Sequence, residues 1–487
     1  MGSLSEIEVS VKCGDQMKVA VVGAGLAGAE CAYVLAQHYQ IQVTLFEMKS
    51  KHPTPAQDRP DLFAELVCSN SFKSLSLSQP TGLLKAELSQ LGSLVMESAL
   101  KFRVPAGEAL AVDRVHFSQY ITQTLRSHPR IEVKDMLVPH WEFVFQQGNF
   151  DYCVIATGPL THDSLSQSLQ GLMQSTQLYF YDAIAPVIDG STIDLDVAFW
   201  GNREKTHKKT LKSAPPLENE DLDSSGDYLN IPLTKEEYFG FVDLLIRSDK
   251  VPFHEFEEAK FFNGCQPIEV LAESGPLTLA HGPMKGRGLT DPKTGRWPFA
   301  AIQLRKEQLG HDSFNMVGFQ TRLTWTAQKD VFRTLPGMKE AAFFRMGSMH
   351  RNTYVVAPSV LNEDLSLKQH PKILLAGQIM GVEGYLESAA MGVYQGHLLG
   401  MRWKQPGRGW SHAPHPTAIG ALVHTLLHSK PEQFCPININ WGLFPDLPQE
   451  SPGTSAKRDK ATKRALLSEL AQKSFQNWVA KLELNFR

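Results

Sequence analysis

Residues 19–30 read VAVVGAGLAGAE, an apolar run that passes without a break into G-x-G-x-x-G at Gly23, Gly25 and Gly28. Few folds accept that arrangement. The first glycine allows a tight turn, the second lets the backbone approach a pyrophosphate, and the third lets the following helix pack closely on its strand. Ala24, Leu26 and Ala27 complete the loop and the helix start. The helix N-terminus then faces the ligand's negative charge. Glu47 lies nineteen residues after Gly28, at the end of a second apolar run (residues 42–46), where a carboxylate can accept ribose hydroxyls. Strand, turn, helix and acidic residue in this register predict a dinucleotide-binding unit, and leave FAD and NAD both open.

The rest of the chain predicts an α/β fold, a Rossmann-like doubly wound parallel sheet. Strands are expected at residues 18–22, 42–46, 131–133, 152–156 and 372–376, and helices at 26–37, 83–100 and 117–125. The pattern changes near residue 201. NREKTHKKTLKSAPPLENEDLDSSGD is charged and poor in apolar residues, which predicts a mobile loop over about 201–226. Residues 227–332 read as short strands and turns, and the first pattern resumes at 372. The expected organisation is a FAD-binding domain in two parts, 17–185 and 336–446, interrupted by a smaller α+β insertion at 186–335. A loosely held tail and an amphipathic helix at about 464–482 complete it over 447–487.

No run is long and apolar enough for a membrane helix, and residues 1–17 lack the apolar core of a signal peptide. Six cysteines without C-x-x-C spacing argue against zinc and against a disulfide framework, so a reducing cytoplasm is the expected location. A net charge of −3 neither demands nor excludes a nucleic-acid partner. Two later segments favour FAD over NAD. VIATGP places Ala156, Thr157 and Gly158 in a turn directly after a strand, and LLAGQIMGVEG places Gly377 and Gln378 before a helix whose N-terminus can face a reduced flavin ring.

In chain order, GAGLAGAE, PTPA, FAELVCSNSF, VPAGEALAVDR, VIATGPLT, LYFYDAIAP, FFNGCQPIE, GFQTRLTW, MHRNTY, AGQIMGVEGYLESAA and INWGLFP resemble the folate- and FAD-dependent tRNA (uracil-5-)-methyltransferases, the TrmFO family, over about residues 18–445. FAELVCSNS and MHRNT separate that family from its larger GidA-type relatives. The resemblance implies 5-methyluridine formation at position 54 of the tRNA T-loop. The one-carbon unit would come from 5,10-methylenetetrahydrofolate, and the hydride from FAD reduced by NADPH or NADH. It also implies tRNA as partner, with no membrane and no stable protein partner. Carbon 5 of uracil is a poor nucleophile until a thiolate adds to carbon 6, so the site needs a nucleophile, a base and a hydride donor. By resemblance Cys265 is the nucleophile and Cys68 the base beside the flavin. On composition alone either thiol would be a small buried hydrophobe.

MHRNTY brings His350, Arg351 and Asn352 together: a ring that stacks or donates a proton, a cation for phosphate or folate glutamate, and an amide for a base edge. The family's GPMKPVGL is GPMKGRGL here, which places Arg287 in a loop expected to touch substrate. A third family cysteine is Ile231 in this chain. Lys285, Arg287, Arg296, Arg305, Lys306, Arg322, Lys329 and Arg333 alternate with Trp297, Phe319 and Trp325. That pattern fits an RNA surface with stacking platforms and a solvated face over core aromatics equally well. Three alternatives to the tRNA enzyme stay open: the same chemistry on a ribosomal RNA uridine, a small-molecule FAD oxidoreductase, and a non-catalytic tRNA-binding flavoprotein.

Overall fold

The computed structural model describes residues 17–54, 56–173, 178–203, 226–252, 266–308, 311–406, 411–447 and 459–482, with backbone alone at 178–182, 350, 351 and 460. Cys265, Cys13, most of the 201–226 loop and most of the tail's first part lie outside the described residues.

A six-stranded sheet carries the N-terminal motif. Its order is Ser366–Leu367, His370–Leu375, Tyr152–Ile155, Lys18–Val22, Gln42–Glu47 and Ile131–Asp135. All neighbours are parallel except the edge pair Ser366–Leu367 with His370–Leu375. The central strand reads VAVV and is buried over those four residues, as a parallel strand covered on both faces must be. Strands from both ends of the chain are adjacent here, since Leu374 pairs with Val154, which also pairs with Val21. This is the doubly wound architecture expected from the alternation of strands and helices along the chain.

A second sheet is antiparallel throughout, in the order Phe199–Gly201, Tyr228–Leu233, Ala300–Lys306, Ser313–Met316, Val187–Asp189 and Phe343–Arg345. A two-stranded ribbon, Leu178–Ile184 with Ser348–Tyr354, lies at the chain positions where the two sheets adjoin. MHRNTY is therefore strand.

Two sequence expectations need correction. The helix expected at 83–100 is two helices, Pro80–Gln90 and Leu94–Lys101, because Gly92 takes a left-handed φ of 73° and Ser93 caps the second helix through Met96 N–H. The region from 227 to 332 is not only strands and turns. It holds the helix Lys235–Arg247, started by a reciprocal capping box between Thr234 and Glu237, and the helix Trp325–Phe332. The T-x-x-E spacing followed by Tyr238, Phe241, Val242 and Leu245 was a legible helix signal, masked by the turn-rich sequences on either side.

The helices Leu26–Tyr39 and Tyr385–Lys404 cross at very short range. A Cβ on Gly392 would overlap Ala27 O, and one on Gly400 would enter the Tyr39 ring. Tyr39 Oη bonds His397 Nδ1 at 2.9 Å, while His397 Nε2 reaches Leu91 O at 3.0 Å. Burial drives the His397 pKa down to about 3, so the ring is neutral, with Nε2–H donating to Leu91 and Nδ1 accepting from Tyr39. Gly392→Val is expected to lower the thermal midpoint by roughly 5 °C, because overpacking against backbone costs about 1–3 kcal/mol. A circular-dichroism melt superimposable on that of the unsubstituted protein would rule out this helix contact.

Candidate active site

A cleft of about 1070 Å³ runs along the C-terminal ends of the parallel strands, where open α/β sheets bind ligands. Gly23, Ala24, Gly25, Leu26, Ala27, Glu47, Ala156, Thr157, Gly158 and Gln378 all border it. Gly23 sits at φ 97°, and a Cβ there would lie 2.7 Å from Ala156 O. Gly28 packs beneath Gly23, and Gly377 (φ 79°) packs against Ala27, so both set close approach rather than line the cleft.

The donor set suits a pyrophosphate. Gly25 is the N-cap of Leu26–Tyr39 and supplies no side-chain cap, so first-turn N–H groups remain for a ligand. A Cβ at Gly25 would meet nothing within 4 Å, which leaves the backbone there open to a large group. Glu47 is already oriented: its Oε2 accepts Ala24 N–H at 2.6 Å and its Oε1 accepts Lys49 N–H at 2.8 Å. These residues fit FAD, with Glu47 placed to take the ribose and the uncapped helix end to take the diphosphate.

Cys68 directly follows Val67, which borders the cleft. Its segment is held between two residues forced into left-handed backbone, Ala64 (φ 49°) and Lys73 (φ 64°). Such strain persists only where neighbours enforce it. Ala64 N–H donates to Ala24 O at 2.9 Å, fixing one end to the glycine turn. At the other end Asn70 Nδ2 donates to Val112 O at 3.0 Å and to Lys306 O at 2.9 Å, and Arg305 donates to Asn70 Oδ1 at 2.8 Å and to Ser69 Oγ at 3.0 Å. Burial lowers the Arg305 pKa, with Glu307 acting against that fall. The Cys68 loop is thus bound to both sheets.

Tyr385 is the residue that sequence reasoning missed. It opens the helix Tyr385–Lys404, borders the cleft, and receives Cys68 N–H at 2.7 Å and Ser69 N–H at 3.1 Å on its hydroxyl. Cys68 Sγ lies 2.9 Å from the same oxygen. A hydroxyl has two acceptor lone pairs, and both are taken by backbone N–H groups. When the sulfur is ionised, the phenol hydrogen is therefore the donor left to hold its charge. Burial and then the neighbouring Cys68 push the Tyr385 pKa well up, which keeps the phenol protonated. Its only sequence signal was its place as first residue of the helix after GVEG.

Other expected residues are placed differently. Asn352 is buried in the strand that pairs with Leu178–Ile184, and His350 and Arg351 share that strand's backbone opposite Asp182 and Tyr181. The strand and the residue after it contact both flavin-type segments, through Thr353 N–H to Pro159 O at 3.2 Å and Val355 N–H to Ile379 O at 2.9 Å. Arg287 borders a separate groove and not the cleft. Arg345, also missed, has buried Nε and Nη2 atoms with no hydrogen-bond partner among the described residues, and its pKa is lowered by burial and then by Arg114.

The family model "Glucose inhibited division protein A" matches residues 18–405. Named relatives are more similar still. Methylenetetrahydrofolate--tRNA-(uracil-5-)-methyltransferase TrmFO of Oleidesulfovibrio alaskensis is 46% identical over 96% of this chain and 98% of its own length. The protein of that name from Staphylococcus epidermidis is 44% identical over 92% of this chain and 97% of its own. The chain belongs to the TrmFO family. Among solved structures, Aquifex aeolicus GidA in its form II crystal aligns with a TM-score of 0.63 over 98% of this chain and 75% of the other at 14% identity, a likeness of fold.

Within this family fold, the Tyr385 hydroxyl is the testable part of the Cys68 site. Tyr385→Phe removes one donor to an ionised sulfur, a bond of about 1.5–3 kcal/mol. Alkylation of Cys68 by iodoacetamide at fixed pH is expected to slow roughly tenfold or more, read by mass spectrometry of the Cys68 peptide. An unchanged rate would show that the phenol does not stabilise the thiolate.

Proposed function

We propose that this chain methylates carbon 5 of uridine 54 in the T-loop of tRNA, using 5,10-methylenetetrahydrofolate as one-carbon donor. One observation carries the reading: a thiol, Cys68, is held against the hydroxyl of Tyr385, which borders a cleft whose donor set fits FAD. The names borne by relatives 42–46% identical over most of the chain support the same activity. FAD, when bound and reduced by NADPH or NADH, supplies the hydride that makes the methyl group.

The chain's own residues supply the remaining chemistry. Cys265 adds to carbon 6 of the uracil, which makes carbon 5 nucleophilic toward the folate methylene; tetrahydrofolate is expelled when the proton on carbon 5 leaves, and Cys265 is released when hydride reaches the exocyclic methylene. Cys68 takes that proton, with Tyr385 holding the thiolate that receives it. The role of Cys265 rests on the family resemblance. The helix that follows it, Ile268–Glu273, is fixed by Ile268 N–H to Gln320 O at 2.7 Å. His350, Arg351 and Asn352 would hold the folate or the uracil. The two parts 17–185 and 336–446 supply the FAD cleft and Cys68, and the insertion 186–335 supplies Cys265. The enzyme would work in the cytoplasm; among the described residues no helix is long and apolar enough to cross a membrane.

The test is direct. Purified flavin-loaded protein is incubated with unmodified tRNA, labelled methylenetetrahydrofolate and NADPH, and the label is mapped. The expected product is labelled 5-methyluridine at position 54. Cys68→Ala should fall by a factor of about 100 or more, the scale of a lost general base, and Cys265→Ala should form no covalent complex with a 5-fluorouridine tRNA. Methylation supported by S-adenosylmethionine alone, or no label on tRNA while a parallel reaction labels ribosomal RNA, would defeat the reading.

A further inference from the structure

The inserted region carries a second concavity, of about 1850 Å³, and no residue borders both it and the FAD-type cleft. Arg203, His281, Lys285, Arg287, Trp297 and Phe299 line it, and among the described residues no carboxylate does. In a chain of net charge −3, a groove bordered by Arg203, Lys285 and Arg287, with no acidic side chain among its described lining residues, is a concentrated positive site. Lys285 and Arg287 have no ion-pair partner among the described residues, so their charge is available to a ligand. The groove also leaves large rings in solvent: Trp297 is 49% exposed and Phe299 38%. Phe299 is braced by Tyr238 with ring centroids 5.3 Å apart, and Trp297 has the Arg287 guanidinium 5.8 Å from its ring.

The structure also separates these residues from the others in the alternating basic and aromatic run. Phe319 is core, Arg305 is buried against Ser69 and Asn70, Arg333 donates to Ala341 O, and Arg322 lies beside Glu269. What remains at the groove is Lys285 and Arg287, without an ion pair among the described residues, beside partly exposed aromatic rings. Cations suit a phosphate backbone and exposed rings suit unpaired bases.

A chain of side-chain contacts ties the groove's rim to the loop of the thiol. Arg203 bonds the Lys285 carbonyl and donates to Gln303 Oε1 at 3.0 Å. Gln303 and Arg305 are two residues apart on one strand, hence on one face and about 7 Å apart. Arg305 in turn holds Ser69, the neighbour of Cys68. The loop bearing Arg287 is fixed to this same strand by Ala301 N–H to Met284 O at 2.9 Å.

We infer that this groove holds the unpaired RNA strand flanking the target uridine, with phosphates on Lys285 and Arg287 and a neighbouring base stacked on Trp297. The inference rests on the proposed tRNA methylation and assigns the RNA's path beyond the reacting base. Arg287 and Trp297 set affinity there and take no part in the bond-making steps.

The experiment uses the full-length flavin-loaded protein and an unmodified tRNA transcript, with binding measured by fluorescence anisotropy across a salt series. Trp297→Ala is expected to weaken binding roughly tenfold, the scale of one lost base stack, and Trp297→Phe to restore most of it. Arg287→Ala should reduce the slope of log affinity against log salt by about one unit, as one phosphate contact is lost. A fully paired RNA duplex should bind wild type and Trp297→Ala alike, and both variants should keep wild-type flavin content and NADPH-driven flavin reduction. If both variants bind and methylate tRNA as wild type does, the groove assignment falls and the methylation reading stands. Equal loss of duplex binding in Trp297→Ala would overturn the stacking role. A wild-type protein that neither binds nor methylates tRNA would overturn both.

Discussion

The site depends on the near-backbone contact between the helices Leu26–Tyr39 and Tyr385–Lys404. One helix begins at the pyrophosphate-type glycine turn, and the other begins at Tyr385. Because glycine at 392 and 400 removes the side chains that would hold them apart, two uncapped helix N-termini meet at one cleft. The neutral His397 joins this contact to Leu91. A second thread then reaches Cys68, since Tyr385 Oη takes both backbone N–H groups of Cys68 and Ser69.

Buried carboxylates support the surrounding helices in the same way. Glu30 accepts from Leu94 N–H and Val95 N–H at 3.0 Å each, and Glu87 accepts from Ala418 N–H at 2.7 Å and Ile419 N–H at 2.8 Å. Each closes the N-terminus of a helix distant in sequence, where otherwise unpaired donors would be buried. Burial raises their pKa values to about 7 and about 8, while the hydrogen bonds act in the opposite direction. Such long-range caps explain how short helices such as Leu94–Lys101 stand firmly in place.

Much of the cofactor end was legible in the sequence because its physics is local. A turn at φ 97° needs glycine, and a strand buried on both faces needs an unbroken apolar run, so Gly23, Gly25, Glu47 and VAVV announced themselves. The helix break at Gly92–Ser93 was local too, but it was hidden by leucines that kept helical spacing across it. The helix Lys235–Arg247 was obscured by the charged loop and turn-rich connections around it. The roles of Tyr385 and Arg345 could not be read from the sequence: a single tyrosine or arginine carries no pattern, and each matters through groups distant in the chain, Cys68 for one and Arg114 for the other.

By itself, the sequence determined the doubly wound sheet, the glycine turn, the acidic residue at the second strand and the order of family motifs, because each is encoded within a few dozen residues. Tertiary structure alone decided which side chains meet. It put Cys68 on the Tyr385 hydroxyl, buried Phe319 and Arg305, left Trp297 and Arg287 at an open groove, and turned Gly392 into a contact point. Those outcomes follow from burial and hydrogen bonding between residues far apart in the chain, and no local periodicity records them.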